Sequence, residues 1–95
     1  MAQPTQKDWI DKYFMYYVYL LIDKDKKKYV GYSSNLKRRI SEHQKGKVYT
    51  TKRMNKPRLF YYEAFTTKEA AIEREQKLKQ YGSSYQGLLK RLGLK

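Results

Sequence analysis

Hydrophobic and polar positions alternate along the chain in short blocks. "MYYVYLLI", Met15 to Ile22, is β-branched and aromatic, which predicts a buried strand. "DKDKK" turns the chain, and "KYVGYS" returns as a second strand, forming a hairpin. Ser34 or Asn35 can cap the helix that follows, whose apolar positions Leu36 and Ile40 lie four apart, bracketed by Arg39 and His43. Gly46 to Pro57 reads as a basic loop, and "RLFYYEAF" as a third strand. Thr66 and Glu69 have capping-box spacing, opening a helix to about Gln80 that Gly82 stops. A last helix opens with Ser83 or Ser84 and packs Leu88, Leu89 and Leu92. The order β-β-α-β-α-α predicts an α+β fold, a small three-stranded, mainly antiparallel sheet flanked by helices. Residues 1–13 read as an N-terminal extension, either a short helix from Thr5 or a mobile stretch, with Trp9 and Ile10 as its anchors; residues 14–95 form one domain. No internal repeat or low-complexity linker interrupts it.

Composition narrows the function classes. A 40% hydrophobic, 16% aromatic chain of 95 residues has apolar material for one compact core. Lys and Arg number 22 against 9 acidic residues, a net charge of +13. Such self-repulsion points to a polyanionic partner, nucleic acid before an anionic membrane, since no long apolar or basic amphipathic segment is present. A ribosome-type basic protein without chemistry is the plainer alternative. With no cysteine and one histidine, disulfides, thiolate zinc sites and multi-histidine metal sites are excluded. A metal would be held by carboxylate and water, which suits Mg²⁺ or Mn²⁺. "MAQPTQKDW" lacks the apolar core of a signal peptide, so a cytoplasmic location is expected.

Three groups of residues are candidates for chemistry. Tyr17, Tyr19, Tyr29 and Tyr32 fall within sixteen residues, and Tyr19 and Tyr29 lie on strands expected to pair. Among eleven tyrosines, spacing alone favours packing. In "NLKRRISEH", helical geometry turns Lys37 and Arg38 to solvent and leans Arg39 toward the sheet, with His43 one turn on. An arginine there needs an anion, either an internal carboxylate or a substrate phosphate. In "EAAIEREQKLKQYG", Ala71, Glu75 and Leu78 place Glu75 on the apolar stripe. A carboxylate so placed needs a partner, and Arg39 and a divalent cation stand even.

These residues, taken together, resemble the GIY-YIG nuclease superfamily, specifically its small stand-alone bacterial single-domain type. "YVY" (Tyr17, Val18, Tyr19) and "YVG" (Tyr29, Val30, Gly31) match the two strand motifs. Arg39, eight residues past Gly31, matches the catalytic arginine; His43 matches another family position, and Glu75 the metal ligand. Tyr17 replaces the first motif's glycine, Tyr32 replaces a lysine of excision-repair relatives, and no late asparagine is placed. The resemblance implies a metal-dependent DNA endonuclease in which Glu75 holds Mg²⁺ or Mn²⁺, mostly through water. Tyr29 would be the general base, Tyr19 a hydrogen-bonding neighbour, Arg39 the stabiliser of phosphate charge, and His43 an aid to base or phosphate. Products would be 5′-phosphate and 3′-hydroxyl ends. Lys26, Lys27, Lys28, Lys37, Arg38, Lys47, Lys52, Arg53 and Lys56 would contact DNA phosphates, RNA being the less favoured partner and a monomer the expected state. The alternative function is a catalytically inactive nucleic-acid-binding module on the same fold.

Overall fold

The computed structural model describes residues 14–95; the readings made at Thr5, Trp9 and Ile10 lie outside them. β1 (Tyr16–Ile22) and β2 (Lys28–Ser33) form an antiparallel hairpin, and β3 (Arg58–Phe65) pairs antiparallel with the other edge of β1. The sheet order is therefore β2-β1-β3, with β1 central. Three helices, α1 (Leu36–Gln44), α2 (Lys68–Lys79) and α3 (Ser83–Arg91), complete the α+β fold expected from the pattern.

Alternation along the strands gives the sheet two unlike faces. Val18, Leu20 and Val30 face Ala71 and Leu78 of α2 and Tyr85, Leu88 and Leu89 of α3, which together form the core. The opposite face carries Tyr17, Tyr19, Tyr29 and Gly31, with His43 of α1 packed on the Tyr19 and Tyr29 rings. The buried residue of α1 is not an aliphatic one. Leu36 and Ile40 are half-buried, whereas His43 is 1% exposed. A polar residue thus occupies the contact at which α1 meets the sheet.

Local chemistry fixes the helix entries. Asn35 Oδ1 accepts the Arg38 amide (3.1 Å), and Ser33 Oγ both accepts from Asn35 N (2.9 Å) and donates to Asn35 O (3.0 Å). The end of β2 is thereby locked to the start of α1. The α2 cap lies one residue later than the sequence spacing suggested, since Thr67 and not Thr66 accepts, from the Ala70 amide at 3.2 Å. Gly82 does not stop α2. Tyr81 takes the left-handed conformation (φ +56°), its ring packed edge-on against Tyr85 at 5.0 Å. Gly82 instead precedes α3 as its N-cap, so neither Ser83 nor Ser84 caps that helix.

Two polar clamps hold the periphery. The Asp23 carboxylate accepts the amides of Asp25 (2.9 Å) and Lys27 (2.8 Å) within the hairpin turn and that of Asn55 (3.0 Å) from the basic loop. Burial disfavours its charge, but these three donors win and hold the carboxyl below its ordinary value. Glu63 of β3 accepts a forked pair of bonds from Arg74 of α2, both 2.9 Å, and a third from the Tyr61 hydroxyl at 2.7 Å. This fork sets the rotation of α2 at Arg74, the residue before Glu75.

Candidate active site

Tyr19 sits opposite Gly31 across the hairpin. Its ring lies directly over that glycine, because a Cβ on Gly31 would meet Tyr19 Cζ and Oη at 2.4 Å. The missing side chain lets the tyrosine lie flat and reach α1. There its hydroxyl makes a 2.6 Å hydrogen bond to His43 Nε2, and His43 Nδ1 makes another of 2.6 Å to Thr51 Oγ1. Tyr19, His43 and Thr51 are each 1% exposed, so the three form a buried polar chain from β1 through α1 to the loop.

Tyr29 lies two register positions along on the same face, its ring 6.4 Å from that of Tyr19 and 5.2 Å from that of His43. It is half-buried and so opens to solvent, unlike Tyr19. Arg39 is half-buried one turn before His43, while Lys37 and Arg38 are exposed, as helical geometry predicted. Its guanidinium bonds Glu42 at 3.1 Å and also bears on the Tyr19 hydroxyl. Glu75 pairs with Lys79 one turn on at 3.4 Å, and the Lys79 ammonium stands 5.2 Å from the Tyr29 ring centre. Arg39 and Glu75 are therefore not partners. Each takes a counter-ion from its own helix.

The electrostatics separate the two buried groups from ordinary behaviour. Burial pushes the Tyr19 hydroxyl up to about 12, Tyr29 adding to this and Arg39 opposing it, with Glu75 a further upward influence. Burial, then the Arg39 charge, brings His43 down to about 4 against a weaker pull from Glu42. At neutral pH Tyr19 is protonated and His43 uncharged. Lys79, paired with Glu75 and standing over the Tyr29 ring, places the carboxylate of α2 at the edge of the tyrosine pair.

The chain matches the GIY-YIG catalytic domain over residues 15–88. It belongs to the GIY-YIG family. It is 36% identical over 67 residues to a UPF0213 protein of Haloquadratum walsbyi, spanning 70% of this chain and 75% of that one. A UPF0213 protein of Streptococcus pyogenes is 42% identical over 65 residues, 67% of this chain and 71% of its own. The solution NMR structure of a UPF0213 protein from Bacillus halodurans superposes with a TM-score of 0.52 at 34% identity, covering 82% of this chain and 84% of that one.

Two of the three departures from the GIY-YIG motifs have a physical account. Tyr17, at the first motif's glycine, packs edge-on against Tyr62 of β3 with ring centres 6.0 Å apart. Tyr32, at the lysine position of excision-repair relatives, is half-buried against the core on the other face of the sheet. Among the described residues no cluster of three metal-ligating side chains occurs. The donor set is one half-buried carboxylate, Glu75, whose Lys79 pair is exposed enough to be displaced. That arrangement fits a largely hydrated Mg²⁺ or Mn²⁺ with a single protein ligand and does not fit a closed zinc or calcium cage.

Of the expected phosphate contacts, Lys26, Lys27, Lys37, Arg38, Lys47, Lys52, Arg53 and Lys56 are exposed. Lys28 is half-buried, with its ammonium 3.3 Å from the Lys26 carbonyl. Asp23 ties the hairpin lysines to the loop cations, joining two basic segments that are distant in sequence. The loop also presents Tyr49, 81% exposed, with the Lys52 ammonium 4.5 Å from its ring centre. Sequence reasoning missed Glu42, Lys79 and Thr51. The first two follow helical i,i+3 and i,i+4 spacing from Arg39 and Glu75, a signal that was present. Thr51 had none, because only the closed loop brings it to His43. Among the described residues no helix is long and apolar enough to cross a membrane.

Proposed function

We propose that this GIY-YIG protein is a metal-dependent DNA endonuclease. The observation carrying the proposal is the convergence of Tyr19, Tyr29, Arg39 and His43 on one face of the hairpin, with Glu75 joined to it through Lys79, whose ammonium stands over the Tyr29 ring. The two tyrosines differ in what they can do. Tyr19, buried and held protonated, serves as a fixed hydrogen-bonding group. Tyr29, open to solvent, is the general base that takes a proton from the attacking water. Arg39 exchanges Glu42 for a phosphate oxygen and stabilises charge on the pentacovalent phosphorus through its guanidinium fork. Neutral His43 holds Tyr19 in place. Glu75 would hold Mg²⁺ or Mn²⁺, which would supply Lewis-acid stabilisation of phosphate charge. With Tyr29 as the phenolate, water gives it a proton while adding to phosphorus, the bond from phosphorus to the 3′-oxygen breaks, and solvent water protonates that oxygen, giving 5′-phosphate and 3′-hydroxyl ends.

The hairpin and loop cations bind the backbone without base readout. With one site per chain, one encounter of a monomer cuts one strand. The test is cleavage of single-stranded, branched and duplex DNA with Mg²⁺ or Mn²⁺. Arg39→Ala and Glu75→Ala should each lower the rate by about 10²–10³, with Arg39→Ala largely sparing binding and Arg38→Ala weakening binding modestly. Undiminished cleavage by both Arg39→Ala and Glu75→Ala would remove the mechanism. The net charge of +13 favours a second reading, a non-catalytic nucleic-acid-binding module. It requires salt-sensitive binding that survives Glu75→Ala, with no cleavage by the wild type.

A further inference from the structure

His43 bonds through both ring nitrogens, and a neutral imidazole carries one N–H and one lone pair. Two proton arrangements are therefore possible along Tyr19–His43–Thr51, and the neighbours select between them. Arg39 has only donors, so where its guanidinium meets the Tyr19 hydroxyl it uses an oxygen lone pair. Tyr19 keeps its proton at neutral pH, its hydroxyl having been pushed up to about 12 chiefly by burial. A buried hydroxyl proton needs an acceptor, and His43 Nε2 at 2.6 Å is the acceptor in reach. If Nε2 accepts, the imidazole proton sits on Nδ1 and must be given to Thr51 Oγ1.

We propose that Thr51 is a positioning residue: by accepting from His43 Nδ1–H it fixes the imidazole tautomer, so that Tyr19 donates to Nε2 and turns its oxygen lone pairs toward Arg39 and the reaction site. Thr51 lies in the short 3-10 turn Tyr49–Thr51, its amide bonded to Val48 O (3.1 Å) and its carbonyl to the Met54 amide (2.9 Å). That turn is part of the basic loop bearing Lys47, Lys52, Arg53 and Lys56. The segment assigned to the DNA backbone thereby also sets the orientation of the Tyr19 hydroxyl. The catalytic consequence rests on the endonuclease proposal; the tautomer does not.

His43 is the chain's single histidine, so long-range ¹H–¹⁵N NMR of the full, metal-free chain at neutral pH reads its tautomer without ambiguity. The wild type and Thr51→Ser should carry the proton on Nδ1. Thr51→Val, confirmed folded by its melt, should shift toward the Nε2–H form. In cleavage, Thr51→Val should lower kcat about tenfold or more with little change in KM, since a misplaced catalytic group costs rate more than binding. Thr51→Ser should restore it. A wild-type proton on Nε2 overturns the proposal, as does a folded Thr51→Val that keeps Nδ1–H, or a serine variant that fails to rescue. Should Thr51→Val not fold, the wild-type and serine spectra still decide. If no form of the protein cuts DNA, the endonuclease proposal falls while the NMR result stands on its own.

Discussion

Replacing Gly31 by alanine tests whether the Tyr19 position is imposed by the absence of a side chain. The added Cβ would lie 2.4 Å from Tyr19 Cζ and Oη and 2.9 Å from Cε2. Ordinary carbon contacts begin at about 3.5 Å, so the end of the ring must retreat by about 1 Å. A flexible side chain would yield at little cost, but this ring is buried beneath α1, with Tyr29 and His43 beside it. Its hydroxyl is also tied to His43 at 2.6 Å, a bond that a 1 Å shift would stretch past the usual limit of about 3.2 Å. Overpacking costs about 1–3 kcal/mol, and separating the buried pair a further 1–3 or so. Relief of the glycine's own entropy penalty in a strand returns about 0.5–1 kcal/mol. Gly31→Ala should therefore lose about 1–5.5 kcal/mol in urea unfolding. In a Tyr19→Leu background, which has no atoms at the clash, the same substitution should cost almost nothing, giving a coupling energy close to the whole effect. Equal losses in both backgrounds would refute the argument and place the glycine requirement elsewhere.

Gly87, in α3, is the control of opposite sign: nothing lies within 4 Å of its Cβ, so Gly87→Ala should stabilise by about 0.5–1 kcal/mol in the same assay. His43 falls from its ordinary 6.5 to about 4 on folding, so the unfolded chain binds its proton first. Tm should therefore drop as pH falls from 6.5 toward 4, and His43→Gln should flatten that limb. Glu63→Gln removes the charge that holds both Arg74 and Tyr61 and should cost about 1–3 kcal/mol by urea unfolding. Asp23→Ala raises the net charge by one above +13, yet should weaken DNA binding because the loop loses its tie at Asn55. Asp25→Ala, which makes the same charge change at an exposed side chain, should strengthen binding in the same titration.

Strands were legible because their pattern is local. β2 and β3 were read to the residue, and β1 to within one, since β-branched and aromatic runs bounded by turns need no tertiary information. Helix ends were less so. The glycine at 82 looked like a left-handed stop, but packing of the Tyr81 ring on Tyr85 places a tyrosine in that conformation instead. The direction of Arg39 and the presence of His43 beside it followed from helical spacing. Their partners did not, because whether Arg39 meets Glu42 or Glu75 depends on how α1 and α2 sit across the sheet. Thr51 was invisible for a stronger reason. A threonine in a basic loop carries no periodicity, and its contact with His43 exists only after the loop has closed.

The site divides by how readily its contacts can be exchanged. Tyr19, His43 and Thr51 are bonded to one another out of water, and breaking any link strands a buried polar group, at about 1–3 kcal/mol. These residues act as a frame. Arg39–Glu42 and Glu75–Lys79 are helical i,i+3 and i,i+4 pairs with side chains partly open to solvent. Such pairs are worth about 0–1 kcal/mol and are screened by salt. A phosphate can replace Glu42 on Arg39, and a hydrated divalent cation can replace Lys79 on Glu75, at small cost. The charges that the proposed mechanism assigns to the substrate are thus held by weak local partners, and the Tyr19–His43–Thr51 frame by strong buried ones. Lys79→Met accordingly separates the two classes. It should raise the Mn²⁺ affinity of the free protein by about twofold to fivefold, the strength of one exposed pair, while leaving the His43 tautomer unchanged. Unchanged affinity, measured by calorimetry without DNA, would show that Lys79 does not compete for Glu75; a changed tautomer would show that frame and exchangeable charges are not separate.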